Sequence, residues 1–398
     1  MRPLIVCLLL LTLAAGINLP ARAQSPALEV TDLAVDYHFG DYISFDARLD
    51  PTLPVAQAVI IFRATGEPQA RVEPVTLFPD GRLNVYFPVP ANVLPPFATI
   101  TYRYQVTLQD GSQRESAEFT FRYEDNRFAW SMLDGGALRI FWYEGDTAFG
   151  QSALDIARQG LTRNGELFQL YPTSTIDIYI YASAADLQGA LGPGNPLWVA
   201  GHASPELGVL LVSIAPNSEK SQEMERQIPH ELTHILLFQN LGQPAYNNLP
   251  EWLREGMPTL SEIYRNPDYP FALRLALQNG TLIPLSDLCT PFPQDASRAF
   301  LAYAQSGSFT RYLYETYGTS GLSTLLRAYA DGLSCTQGTE RAFNKPLAAL
   351  ESEWRANALG EDRLAPAIQG LAPYIALPLL LAIPALLIFV LGLAEKRN

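Results

Sequence analysis

From Leu28 to about Glu124, apolar and polar positions alternate in short runs. Thr101-Tyr102-Arg103-Tyr104-Gln105-Val106 is the clearest case. Successive side chains of a strand point to opposite faces, so such a run buries one face and wets the other. The segments LEVTDLAVDYHF, YISFDARLD, AVIIFRA, RLNVYFPV, TITYRYQVTL and AEFTFRYE are rich in Val, Ile, Tyr, Phe and Thr, which suit a pleated, half-buried surface. Asp80-Gly81 and Asp110-Gly111 mark tight turns. Strands at this spacing predict an antiparallel β-sandwich of immunoglobulin or fibronectin type over residues 26–126. The absence of a Cys–Trp–Cys pattern excludes an antibody-like domain. His38 lies on a predicted strand without a partner motif and reads as a surface or satisfied histidine.

The period changes near Phe128. ALRIFWYEG reads as a strand, and TAFGQSALDIARQGLTRNGELFQLY as a helix with Ala153, Ile156, Ala157 and Leu161 on one face. TIDIYIYAS and GVLLVSIAP read as buried strands. From Ser221 to about Leu359 helical patterns dominate, including AFLAYAQSGSFTRYLYETYG and GLSTLLRAYADGL. The expectation is an α+β domain over residues 128–360 with a helical C-terminal lobe.

Both ends break from these patterns. Arg2, an apolar run and Ala21-Arg22-Ala23 read as a secretory signal peptide over residues 1–23, with an uncleaved anchor as the alternative. A linker over 361–370 leads to Leu371–Ala394, long enough to cross a hydrocarbon core of about 30 Å as one transmembrane helix. Pro373, Pro378 and Pro384 would kink that helix without forbidding it. Lys396 and Arg397 lie in a short tail, 395–398, so the predicted order is ectodomain outside, one membrane span and a cytoplasmic tail. A C-terminal sorting signal has the same shape.

The formal net charge of −13 argues against a nucleic-acid partner, which requires a basic face. No Gly-rich phosphate loop is present. Cys289 and Cys335 remain after leader removal; an exported pair invites a disulfide, two buried thiols being the alternative.

QIPHELTHILLF, from Gln227 to Phe238, carries the candidate chemistry. Histidines four apart on a helix project side by side and can reach one metal ion. Ile228, Leu232, Ile235 and Leu236 cluster on one face of the wheel, with His230 and His234 opposite, where a cleft would lie. Glu231 stands about 100° around the helix from His230, beside the metal rather than on it, as a general base for water requires.

His-Glu-x-x-His followed some twenty residues later by Trp-Leu-Arg-Glu-Gly (252–256) resembles the gluzincin metallopeptidases, and most closely the bacterial peptidase MA-like domains. The resemblance spans about Ala137 to Leu359. It implies zinc held by His230, His234 and Glu255, with Glu231 as general base. It also implies a Tyr or His oxyanion donor from a downstream helix; Tyr303 is the candidate, with Tyr246 and His202 as rivals. His202 reads first as an exposed loop histidine. By the same resemblance, Val209–Ile214 would line the cleft and pair with substrate backbone. Glu262 matches an acidic position of the family, and reads equally as a surface carboxylate. Pro258 departs from the family pattern and predicts a kink in the helix bearing Glu255.

The expectation is thus an exported, membrane-anchored zinc peptidase acting on peptide or protein substrates. The alternative is an inactive, peptidase-like surface binding or adhesion protein. The aminopeptidase motif Gly-x-Met-Glu-Asn is absent, which favours endopeptidase or narrow processing activity. Nothing in the pattern specifies an oligomeric state.

Overall fold

The computed structural model describes residues 27–89, 94–192 and 201–361, and positions 374, 376–378 and 383. The expected leader, and nearly all of the linker, membrane span and tail, lie outside the described residues. No helix among the described residues is long and apolar enough to cross a membrane. The chain separates into two compact units, Met1–Glu124 and Asp125–Asn398.

The first unit is antiparallel and β-rich. Its strands are β1 (Thr31–His38), β2 (Tyr42–Arg48), β3 (Val55–Ala64), β4 (Arg71–Pro74), β5 (Thr76–Leu77), β6 (Arg82–Pro88), β7 (Thr99–Leu108), β8 (Gln113–Glu115) and β9 (Phe119–Arg122). One sheet runs β1-β2-β6-β5; the other runs β4-β3-β7, with β8 and β9 both pairing with β7. The alternation in the sequence sets the faces. Ile100, Tyr102, Tyr104, Val106 and Leu108 of β7 are buried, and the residues between them are less so. The sheets meet through aromatic rings: Phe45 of β2 is 5.5 Å from Phe62 of β3 and 5.1 Å from Tyr102 of β7. Burying each such ring stabilises the unit by roughly 1.5–3 kcal/mol. The Asp80-Gly81 turn needs its glycine. Gly81 has φ +83°, and a Cβ there would come 2.3 Å from the Leu49 carbonyl oxygen.

The second unit opens with β10 (Ser131–Asp134), β11 (Leu138–Trp142), α1 (Thr147–Phe168), β12 (Ile176–Tyr181), α2 (Ala184–Leu191), β13 (Gly201–Ser204) and β14 (Val209–Ser213). The sheet order is β10-β11-β12-β14-β13. The central three strands are parallel, and β10 and β13 are antiparallel at the two ends. Every residue of β12 is buried, as expected of an inner strand covered on both faces. Ile176, Ile178 and Ile180 enter the main core. Tyr179 and Tyr181 point the other way, against Trp130. Helix α1 starts at Asp146, whose carboxylate accepts a bond from the Phe149 N–H at 2.9 Å.

The helices that follow in residues 220–358 are α3 (Lys220–Leu241), α4 (Gln243–Asn247), α5 (Glu251–Ser261), α6 (Tyr269–Asn279), α7 (Ala296–Ala330), α8 (Cys335–Phe343) and α9 (Leu347–Ala358). The two helices expected between Ala299 and Leu333 meet end to end within α7 at Gly318, whose φ of +67° breaks the helical run. Cys289 and Cys335 form a disulfide, the first of the two alternatives. The indole N–H of Trp252 on α5 lies 3.3 Å from Cys335 Sγ, so the bridge abuts this helix directly.

Candidate metal centre

Helices α3 and α5 bring three side chains together. His230 and His234 sit one turn apart on α3, and each Nε2 faces Glu255 of α5. The distances to Glu255 Oε2 are 3.5 Å from His230 and 3.6 Å from His234. One ligand atom from each of the three residues lies within 4.8 Å of the other two. Atoms about 2.1 Å from a tetrahedral ion stand about 3.4 Å apart, so this set of two imidazole nitrogens and a carboxylate oxygen fits a three-ligand zinc site with an open position.

The opposite ring nitrogens are held as well. His230 Nδ1 is 3.0 Å from Glu262 Oε1, and His234 Nδ1 is 3.3 Å from the Tyr246 hydroxyl. With Nε2 given to a metal ion, each Nδ1–H donates to that oxygen, which fixes tautomer and ring orientation. Glu262 is therefore a buried partner of His230 and not a surface carboxylate.

The electrostatics follow from putting three carboxylates beside two imidazoles out of water. Burial alone would lower the His230 pKa; bonds to Glu255 and Glu262 outweigh it and push it up to about 10. Glu255, also buried, is held well below the usual carboxylate range by His234 and His230. Burial pushes Glu231 up, against the pull of the two histidines. Burial, and then Glu255 and Glu231, push the Tyr303 phenol far up, so it stays a donor.

Glu231 faces a cleft of about 380 Å³ whose lining includes Gly201, Gln227, His230, Tyr269 and Tyr303. Its carboxylate rests against the backbone of Gly201; a Cβ there would come 2.4 Å from Oε1. The Tyr303 ring, on α7, is 6.3 Å from that of His230. Tyr246 belongs to the Nδ1 side of His234, away from the converging Nε2 atoms. His202 lies half-buried on strand β13 and not in an exposed loop; burial and the nearby His234 lower its pKa.

One expectation is corrected. Val209–Val212 has no free edge, because β12 pairs along one side and β13 along the other. The chain turns back through Pro205–Leu207, and it is β13, starting at Gly201, that ends the sheet beside Glu231. Pro258 does not end α5, which runs through it to Ser261. The Pro258 carbonyl is within reach of Ser261 Oγ at 2.7 Å and of the Glu262 N–H at 3.2 Å.

The alignment of α3 with α5 depends on residues that the motif did not flag. Pro229, just before His230, cannot donate to the carbonyl of Glu225 four residues back. That carbonyl instead accepts the N–H groups of Ile263 at 2.9 Å and Tyr264 at 3.3 Å, tying the segment after Glu262 to α3. Thr233 Oγ1 lies 2.8 Å from Ser261 Oγ, 2.8 Å from the Pro229 carbonyl and 3.1 Å from Asn164 Oδ1 of α1. This buried group joins three helices behind the histidines. Gly256 allows α5 to press on α7: a Cβ would meet Thr310 Oγ1 at 2.1 Å and the Ser306 carbonyl at 2.6 Å. A proline inside a helix pattern and a glycine next to Glu255 were the available signals.

The fold and centre define an α+β domain with a helix-borne His-His-Glu cluster. Residues 156–360, more than half of the chain, match the family model of the peptidase MA superfamily, and the chain belongs to that superfamily. No curated protein matches it. Among solved structures it is similar to one described as a myokine structure, at 12% identity and a TM-score of 0.20, over 25% of this chain and 99% of that one. It is also similar to a purple acid phosphatase from yellow lupin (Lupinus luteus) seeds, at 11% identity and a TM-score of 0.22. That likeness covers 52% of this chain and 40% of the phosphatase. Neither likeness carries an argument about this chain.

Proposed function

We propose that the chain is a zinc-dependent peptidase, with His230, His234 and Glu255 as metal ligands and Glu231 as general base. The observation that carries this is the convergence of both histidine Nε2 atoms on Glu255, with Glu231 beside them facing the cleft. A zinc ion held there supplies Lewis acidity and brings the pKa of a water to about 7. Glu231 takes the proton of the attacking water and delivers it to the leaving amine; its raised pKa suits it to both transfers. Tyr303, protonated and at the cleft wall, donates to the carbonyl oxygen as charge develops on it. Glu262 and Tyr246 hold the imidazoles in the required tautomer.

The proposal extends to place. The leader-like residues 1–23 and the apolar stretch 371–394 support an exported, membrane-tethered enzyme, and the Cys289–Cys335 disulfide supports an oxidising compartment. The first unit, with its two facing antiparallel sheets, serves as an immunoglobulin- or fibronectin-like recognition or spacing module.

The test compares the full-length chain with Glu231→Gln. Both forms should hold one zinc per chain by elemental analysis, while peptide cleavage by the variant falls by about 10²–10⁴. A wild type without zinc, or a variant that cleaves as fast as wild type, would end this reading.

A further inference from the structure

Beside the metal cleft lies a second cavity of about 390 Å³. Glu262, Asn266 and Tyr269 line both, so the two share a wall. Three arginines border the second cavity: Arg265 and Arg274, which are exposed, and Arg311 of α7, which is half-buried. Among the described residues, no carboxylate lies within ion-pair distance of any of them. Arg163 of α1 reaches the same region. It donates to the Leu260 carbonyl at 3.1 Å, and its Nε is buried without a partner.

This arrangement is unusual within the chain. The net charge is −13, and partly buried arginines elsewhere have carboxylate partners: Arg127 with Asp125, Arg139 with Asp177, Arg226 with Glu223. Here like charges stand together. Burial, then Arg265, with Arg163 adding to it, pull Arg311 down to about 10. Burial and Arg265 also lower Arg163. Three carboxylates lie in the neighbourhood. Glu262 is committed to His230, and Glu315 and Glu166 are exposed. Forked guanidinium groups left unpaired around a cavity are suited to a carboxylate or another oxyanion. Pro270, Leu273 and Ala304 supply an apolar floor of the kind that accommodates the stem of a side chain.

We propose that this cavity binds a carboxylate of the same peptide that occupies the metal cleft, so that the enzyme selects peptides with an acidic side chain near the bond cut. The proposal rests on the peptidase reading. The shared wall favours a peptide-borne group over a free inorganic anion, whose chemistry is the same.

The test has two arms. In the first, the zinc-loaded full-length chain cleaves peptide pairs that differ only by Asp or Asn, scanned along the sequence. One position should show about a tenfold or greater preference in kcat/KM for Asp, the size expected of a hydrogen-bonded charge. Arg265→Gln and Arg274→Gln, both at exposed positions, should abolish that preference and leave the Asn peptide unaffected. Arg311→Lys, which keeps the charge but loses the fork, should weaken it. Equal rates on every pair overturn the assignment to a peptide. In the second arm, inorganic phosphate is titrated into the chelator-treated full-length chain. Binding by wild type that is lost in Arg265→Gln supports an oxyanion site even if no peptide is cleaved. Absent or identical binding overturns the oxyanion site. Phosphate binding without any Asp preference assigns the cavity to a free anion and also overturns the proposal.

Discussion

In the first unit, Ser116 is the one buried polar side chain among the described residues, tyrosines aside. The second unit encloses Asn164, Thr233, His234, Glu255, Ser261 and Glu262 on or next to three packed helices. Both units are well packed, so the difference is not one of core quality. A buried polar group costs about 1–3 kcal/mol if left unpaired, and a buried charge more. The first unit keeps that cost low by putting aromatic rings inside and leaving polar alternation outside, the buried Tyr104 hydroxyl excepted. The second accepts it and offsets it with a connected set of bonds from Pro229 to Glu262. Dense polar burial thus coincides with the His-His-Glu cluster.

Three substitutions or conditions bear on this contrast. The largest effect should come from Phe45→Ala, which removes a ring that Phe62 and Tyr102 both touch. Denaturant titration should show a loss of about 3–5 kcal/mol, with zinc content unchanged. A concurrent loss of zinc would mean that the two regions are not separable in this way. Next, Thr233→Val should destabilise by about 1–3 kcal/mol, because the buried hydroxyl that lies within hydrogen-bond reach of Asn164 Oδ1, the Pro229 carbonyl and Ser261 Oγ is removed. Zinc affinity should fall with it, as α3 and α5 lose their link; a variant with normal affinity would show that the buried group only fills space.

The third effect concerns pH. In the metal-free chain, His230 has a folded-state pKa raised from the ordinary 6.5 to about 10. A raised pKa stabilises the protonated native form. That contribution is fully present below pH 6.5 and is lost as pH rises through about 10. Thermal melts of the chelated protein should therefore shift downward between pH 7 and pH 10.5. Zinc loading at pH 8 should release about one proton from His230, read by titration in weakly buffered solution. No proton release would show that His230 is already neutral.

Much of the contrast was legible in the sequence. Period-two alternation in Thr101–Val106 identifies strands because a half-buried sheet imposes that period directly. The wheel of α3 was informative for the same reason, and Glu255 could be placed from the resemblance carried by the Trp-Leu-Arg-Glu-Gly segment. The wheel was less informative about enclosure. His234 is buried, because β13 and α5 also pack against α3, and no local period encodes that. Strand order stayed hidden too: the hairpin through Pro205–Leu207 decides that β13 and not β14 ends the sheet. The roles of Pro229 and Ser261 are long-range bonds across helices, visible only once α3 and α5 are side by side. The arginine cavity gathers residues from α1, the α5–α6 connection, α6 and α7, and no single stretch of sequence contains it.

The contact between Gly201 and the Glu231 carboxylate has an evolutionary consequence. A single base change can turn a glycine codon into one for alanine, and the new methyl would come 2.4 Å from Oε1, so the carboxylate would have to shift. The metal ligands and the helices carrying them would be untouched. On the proposed mechanism, one such change would move the general base without moving the ligands, so metal binding and hydrolysis could drift apart independently.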